Sequence, residues 1–141
     1  MREILFKAKR NYDGKWIEGY YLRDQYHISG NDIIFYRKDS DRFTVYTDTI
    51  DLETLCQFTG LCDKNGNKIW ENDIVLVIYE NRYYEKKELS TGKIVFTRGA
   101  WYIGGKVRNE LYTIDKDAIF QVEIVGNIFD NPELLQEESD E

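Results

Sequence analysis

Six apolar residues in succession, Ile74-Val75-Leu76-Val77-Ile78-Tyr79, constrain this chain more than any other feature. A run without alternation has no side to offer water, so it must be covered on both faces. It is far shorter than the roughly 18–20 apolar residues of a membrane span. Its β-branched residues Ile74, Val75, Val77 and Ile78 favour a pleated backbone. It therefore reads as a strand covered on both sides, as in the interior of a small barrel. The approach to it carries the sharpest turn signals in the chain, Gly60 and then Asp63-Lys64-Asn65-Gly66-Asn67, followed by Lys68 to Asp73.

The rest of the chain is built from shorter pieces of the same kind. Tyr, Phe and Trp make up 15% of the residues, which favours half-buried sheet surfaces. Near the start, Ile4, Phe6 and Ala8 alternate with Glu3, Leu5, Lys7 and Lys9, the period of a strand. Asp13-Gly14 then predicts a hairpin whose second arm is Trp16 to Leu22. Turn clusters at Ser29 to Asp32 and Lys38 to Asp41 predict a second hairpin from Ile33 to Tyr36 and Phe43 to Tyr46. Asp51-Leu52-Glu53-Thr54 either caps a helical turn or runs straight into a strand at Leu55 to Thr59, and the strand is the favoured reading. Glu80 to Ser90, charged and tyrosine-rich, reads as a long hairpin connection. Strands are expected at Lys93 to Phe96, Trp101 to Ile103, Leu111 to Ile114 and Phe120 to Ile128, at the spacing of a barrel or sandwich. Only Asn131-Pro132-Glu133-Leu134-Leu135 looks helical, with a favoured N-cap and Pro at the first helical position. The fold class is all-β.

The formal charge of −7 is a property of one end. Residues 133–141 carry Glu133, Glu137, Glu138, Asp140 and Glu141 with no Lys or Arg, which leaves a net of −2 over residues 1–132. A nearly neutral body argues against a nucleic-acid mimic, and the acidic tail aids solubility. The start has neither the apolar core nor the cleavage site of a secretory signal, and no stretch is long enough to span a membrane, so a cytoplasmic location is expected. Cys56 and Cys62, with His27 as the single histidine, are too few soft ligands for a structural zinc site. In a reducing compartment they read as free thiols, although the count alone allows a disulfide.

Tests for chemistry return no catalytic or cofactor-binding set. A calcium loop starting at Asp63 needs Gly at its sixth position and Glu at its twelfth, where this chain has Lys68 and Ile74. A hydrolytic triad would have to use His27, which sits between Tyr26 and Ile28 before a turn. No carboxylate pair stands out, and the glycines form neither a Walker loop nor a dinucleotide fingerprint. No cofactor, no metal and no enzymatic activity are expected. Two surfaces suggest binding. Lys7, Lys9, Arg10, Lys15 and Trp16 in and beside the first hairpin combine phosphate-neutralising and base-stacking side chains, although Glu3, Asp13 and Glu18 are interspersed. Arg82 to Lys87 with Lys93 and Arg98 is a weaker version of the same pattern. Tyr83, Tyr84, Trp101 and Tyr102 are candidates for a protein-binding patch, and each suits a core position as well.

The stretch Thr54-Leu55-Cys56-Gln57-Phe58-Thr59-Gly60-Leu61-Cys62-Asp63-Lys64-Asn65-Gly66-Asn67-Lys68-Ile69-Trp70-Glu71-Asn72-Asp73-Ile74-Val75 resembles the signature of the YopX family of bacteriophage and prophage proteins. The opening Arg2 to Ala8 and the closing Glu123 to Leu135 resemble the family's start and finish. Asn72 stands where the family more often has Gly, and Asn tolerates a left-handed backbone better than most residues. The resemblance implies a mostly β protein with an SH3-like barrel in its C-terminal part and a phage or prophage setting; with the turn pattern, the expected division is an N-terminal β-hairpin region over residues 1–50, an SH3-like β-barrel over 51–130, and a short helical turn with an acidic tail over 131–141. It implies no established activity. The expected role is that of an accessory protein acting by binding, with a further copy of the chain or a host or phage protein as partner, and with nucleic acid as the alternative.

Overall fold

In a computed structural model of the chain, the described residues are 3–23, 31–81, 84–105, 109–110 and 120–135, with backbone alone over 79–81, 84–89, 109–110 and 120. Eleven strands and one 3₁₀ turn occur among them, every strand pairing is antiparallel, and the class is all-β. No helix there is long and apolar enough to cross a membrane. The chain divides into two compact units, Met1–Phe58 and Thr59–Glu141.

The first unit holds β1 (Phe6–Lys9), β2 (Trp16–Arg23), β3 (Asp32–Lys38), β4 (Asp41–Thr49) and the start of β5 (Cys56–Cys62), in the order β4-β3-β2-β1-β5. The Asp13-Gly14 hairpin forms as expected, with Gly14 at φ 72°, Arg10 N–H donating to the Lys15 carbonyl at 2.9 Å, and Lys9 paired with Trp16. The chain after β4 comes back to β1. Arg10 bridges Ile50, Asn11 N–H donates to the Thr49 carbonyl at 3.0 Å, and Asp51 N–H donates to the Lys9 carbonyl at 2.9 Å. Ala8, Ile34 and Ile50 are buried between these elements, with Phe6, Ile17, Tyr21, Tyr36 and Leu55 packed against them. Gly19 faces this core. A Cβ there would strike the Phe35 carbonyl and come within 2.8 Å of Ile34 Cγ2, so only Gly fits.

Two details depart from expectation. Leu5 is buried while Ile4 is exposed, because β1 starts only at Phe6 and the Leu5 carbonyl accepts from Phe58 N–H at 2.8 Å. Asp51 caps a 3₁₀ turn, Leu52–Thr54, its carboxylate accepting from Glu53 N–H at 3.1 Å, and the strand begins after it.

In the second unit the remainder of β5 pairs with β6 (Lys68–Trp70), and β7 (Asp73–Asn81), β8 (Tyr84–Thr97), β9 (Ala100–Gly104), β10 (Asn109–Glu110) and β11 (Phe120–Asn127) form a sheet in the order β10-β9-β8-β7-β11. The apolar run lies in β7, flanked by β8 and β11. Val75 and Val77 enter a core with Ile69, Ile94, Ile103 and Val122, while Ile74 and Ile78, on the opposite face, are fully buried too. Register shifts against both neighbours, at Val77/Ile78 and Ile124/Gly126, bend the strands around it. The charged stretch Glu80 to Ser90 is no long connection: Lys87 pairs with Tyr79 and Glu88 with Ile78, so the hairpin ladder extends through it and satisfies backbone groups that a loop would leave to water. The strand expected at Leu111 to Ile114 lies outside the described residues. At the end of the described chain Glu133 to Leu135 are helical, with Leu134 N–H donating to the Asn131 carbonyl at 3.1 Å.

Candidate functional site

The signature turn is held by one side chain. Asp63 is buried, and its Oδ1 accepts from Asn65 N–H and Asn67 N–H, each at 2.9 Å. Its Oδ2 accepts from Ile124 N–H on β11 at 3.1 Å, and Lys64 N–H donates to the Val122 carbonyl at 3.0 Å beside it. Burial pushes this carboxyl up, and the amides of Ile124, Asn67 and Asn65 more than reverse that, so it ionises below the usual carboxylate range. Its oxygens face N–H donors, which is the surrounding of an anchor and not of a cation ligand. At the next corner Asn72 has φ 70°, the left-handed conformation its identity allows, and the buried Asp73 accepts from Trp70 N–H at 2.8 Å.

The basic hairpin set is gathered only in part. Lys7 and Lys9 project from β1, and their ammonium groups lie 4.7 and 5.4 Å from the centroid of the Trp16 ring. Glu18 is the register partner of Lys7. Arg10 is drawn away: its guanidinium grips Asp13 at 2.6 Å, lies 3.6 Å from Asp48 and stacks over Tyr12. The hydrogen bond from Arg10 holds the Asp13 carboxyl below its ordinary value, and Asp13 also accepts from Lys15 N–H at 3.0 Å. Lys15 itself is exposed in the turn. Inside the same unit Tyr21 donates to Asp32 at 2.5 Å and Tyr36 to Asp48 at 2.6 Å, and these bonds push both phenols up.

Of the aromatic set, Tyr83 lies outside the described residues, and Tyr84 opens β8 with its backbone alone described. Trp101 packs against the second core and meets Phe96 edge-on at 4.9 Å, and Tyr102 is half-buried opposite Val95. Neither cysteine is in a disulfide, Cys56 being buried with its Sγ donating to the Thr54 carbonyl at 3.2 Å and Cys62 exposed. His27 lies outside the described residues.

One apolar surface among the described residues is one the sequence did not announce. In the first unit Tyr20 pairs with Phe35 and Leu22 with Ile33, so all four share the face opposite the core, and the Tyr20 and Phe35 rings stand 5.5 Å apart. Tyr20 and Leu22 are each about half exposed, at 52% and 51%. The available signal was in β2, where Trp16, Tyr20 and Leu22 of one alternating set and Ile17 and Tyr21 of the other are apolar or aromatic, with Glu18 interrupting the first and Gly19 and Arg23 the second.

Comparison with known proteins agrees with this architecture. The family model described as YopX protein matches residues 5–136. The chain is also similar to a solved structure, the crystal structure of protein EF1440 from Enterococcus faecalis, with 23% sequence identity and a TM-score of 0.56 over 96% of this chain and 99% of that one. No curated protein matches.

Proposed function

The chain belongs to the YopX family, and on that premise we propose that it is a phage or prophage accessory protein of the bacterial cytoplasm that works by binding another protein, not by catalysis. The observation that carries this reading is the outer face of the first sheet, where Tyr20, Leu22, Ile33 and Phe35 form one apolar surface on the side away from the core. Exposed apolar faces of this kind are costly to leave in water and mark interaction sites. We take the second unit to be an SH3-like barrel serving as scaffold; the doubly covered β7 and the bulges on both its sides support that.

Nucleic acid is the second reading, favoured by Lys7, Lys9 and Trp16 standing together. It is weakened by the same geometry, since the lysines already lie over the indole ring on which a base would stack. A photo-crosslinking residue placed at Leu22 in bacterial cells should give a discrete protein adduct that the same residue at Lys64 does not. Adducts that are the same at both positions would sink the protein reading. A gel shift with single-stranded DNA or RNA at low salt, abolished by Lys9→Glu with Trp16→Ala, would replace it with the second.

A further inference from the structure

The tip of the β3–β4 hairpin carries a separate feature. Between the pairs Tyr36↔Tyr46 and Lys38↔Asp41, β4 has three residues more than β3, and the surplus loops out with Phe43 on it. Phe43 is 98% exposed. Its backbone is nevertheless held. Asp41 accepts from Phe43 N–H at 3.1 Å and Thr44 N–H at 3.3 Å, and Arg37 donates to the Arg42 carbonyl at 2.6 Å. Tyr46 beneath it stacks on Tyr36 at 5.8 Å and lies 4.4 Å under the Lys38 ammonium. An aromatic ring presented on an ordered backbone is a preorganised anchor, because little further ordering is needed when it is buried.

The surroundings specify what it fits. Arg37, Lys38 and Arg42 are all exposed at this tip, against Asp39 and an Asp41 carboxylate held by the Phe43 and Thr44 amides and the Tyr46 hydroxyl, so cations outnumber acids there. The complement is a segment with apolar side chains, several carboxylates and no cations. Residues 133–141 of this chain have that composition: Leu134 and Leu135 among five acids, with no Lys or Arg. We propose that the Phe43 tip of one copy takes the acidic, leucine-bearing segment 133–141 of a second copy. Such a contact is heterologous and propagates from copy to copy. It is independent of the sheet-face reading and uses different residues.

The test is a titration of the full chain with a synthetic peptide of residues 131–141, followed by NMR shifts or fluorescence anisotropy, alongside sedimentation of the chain alone over a range of concentrations. Saturable binding is expected, centred on residues 37–46 and weakened at least about tenfold by Phe43→Ser. It should also weaken on raising salt from about 50 to 500 mM, as expected for charges facing solvent. Leu134→Ser with Leu135→Ser in the peptide should remove it, and Tyr20→Ser in the chain should leave it unchanged. The chain's average mass should rise with concentration and stop rising in Phe43→Ser. No saturable binding, binding indifferent to Phe43, or equal binding by a peptide that keeps the acids but lacks both leucines would each overturn the proposal. So would displacement of the peptide from the tip by a single-stranded oligonucleotide that binds it more tightly. A matching melting temperature for Phe43→Ser and the parent chain separates loss of contact from loss of fold, and Arg42→Glu gives a second variant that keeps the ring.

Discussion

Asp63 and Asp41 organise their turns with the same device and to opposite ends. Each carboxylate accepts from the amide two residues on and from one further along, an Asx-type turn that also recurs at Asp13, Asp51 and Asn127. Asp63 has a third donor, Ile124 N–H, 61 positions away, and it is buried. The donors of Asp41 are local amides and hydroxyls, and its loop stands in solvent. A local turn motif thus becomes a tertiary anchor when a distant strand supplies one more donor, and becomes a display platform when none does. The difference lies in what the rest of the chain brings up to the carboxylate, not in the turn residues.

Breaking that contrast starts with the anchor. Asp63→Ala removes the acceptor for three amides inside the fold and should cost about 2–4 kcal/mol by urea denaturation. Asp41→Ala should leave the urea midpoint within error, and comparable losses from the two would end the distinction. Asn72→Val, at the corner that follows the anchored turn, forces a β-branched residue to φ 70° and should cost about 1–2 kcal/mol more than Asn72→Gly, which meets no backbone strain there. Acid sharpens the comparison further. The Asp63 carboxyl ionises below its ordinary value in the fold, so its contribution is complete above the unfolded value near 4 and disappears as pH falls through the lowered folded value. Stability should therefore fall below about pH 4, and that fall should be shallower in Asp63→Asn. Smallest of all, Phe43→Ser should not move the melting temperature, because a ring at 98% exposure contributes no burial.

Much of this was legible from local signals. The run at Ile74 to Tyr79 announced a strand covered twice because no alternation was present to mislead, and Asp13-Gly14 and Asn72 carried their backbone conformations in their identities. The 3₁₀ turn at Leu52–Thr54 was ambiguous because a capping Asp stands directly before a β-forming run. The hairpin arm at Tyr84 was mistaken for a loop because its charges argue for solvent, which an exposed ladder also provides. The candidate surfaces were hidden for another reason. Tyr20 and Tyr21 are neighbours on opposite faces, and only the pairing with Phe35 and Ile34 tells which of them faces the core. Phe43 is exposed by a slip in strand register, and the Asp63 anchor depends on a partner far along the chain. Neither leaves a periodic trace.

The return of the chain after β4 to β1 has a consequence for the order of events during synthesis. Ala8, Ile34 and Ile50, with the residues packed against them, all precede Cys56, so this cluster is in hand while the second unit is still being made. Closing the span from Arg10 to Ile50 adds only a logarithmic entropy cost. The second unit cannot follow suit, because β7 waits for β11, some forty residues later in the chain. Until then a strand apolar on both faces lacks one neighbour. Pulsed hydrogen exchange should accordingly show the Asn11 and Asp51 amides protected before that of Ile124.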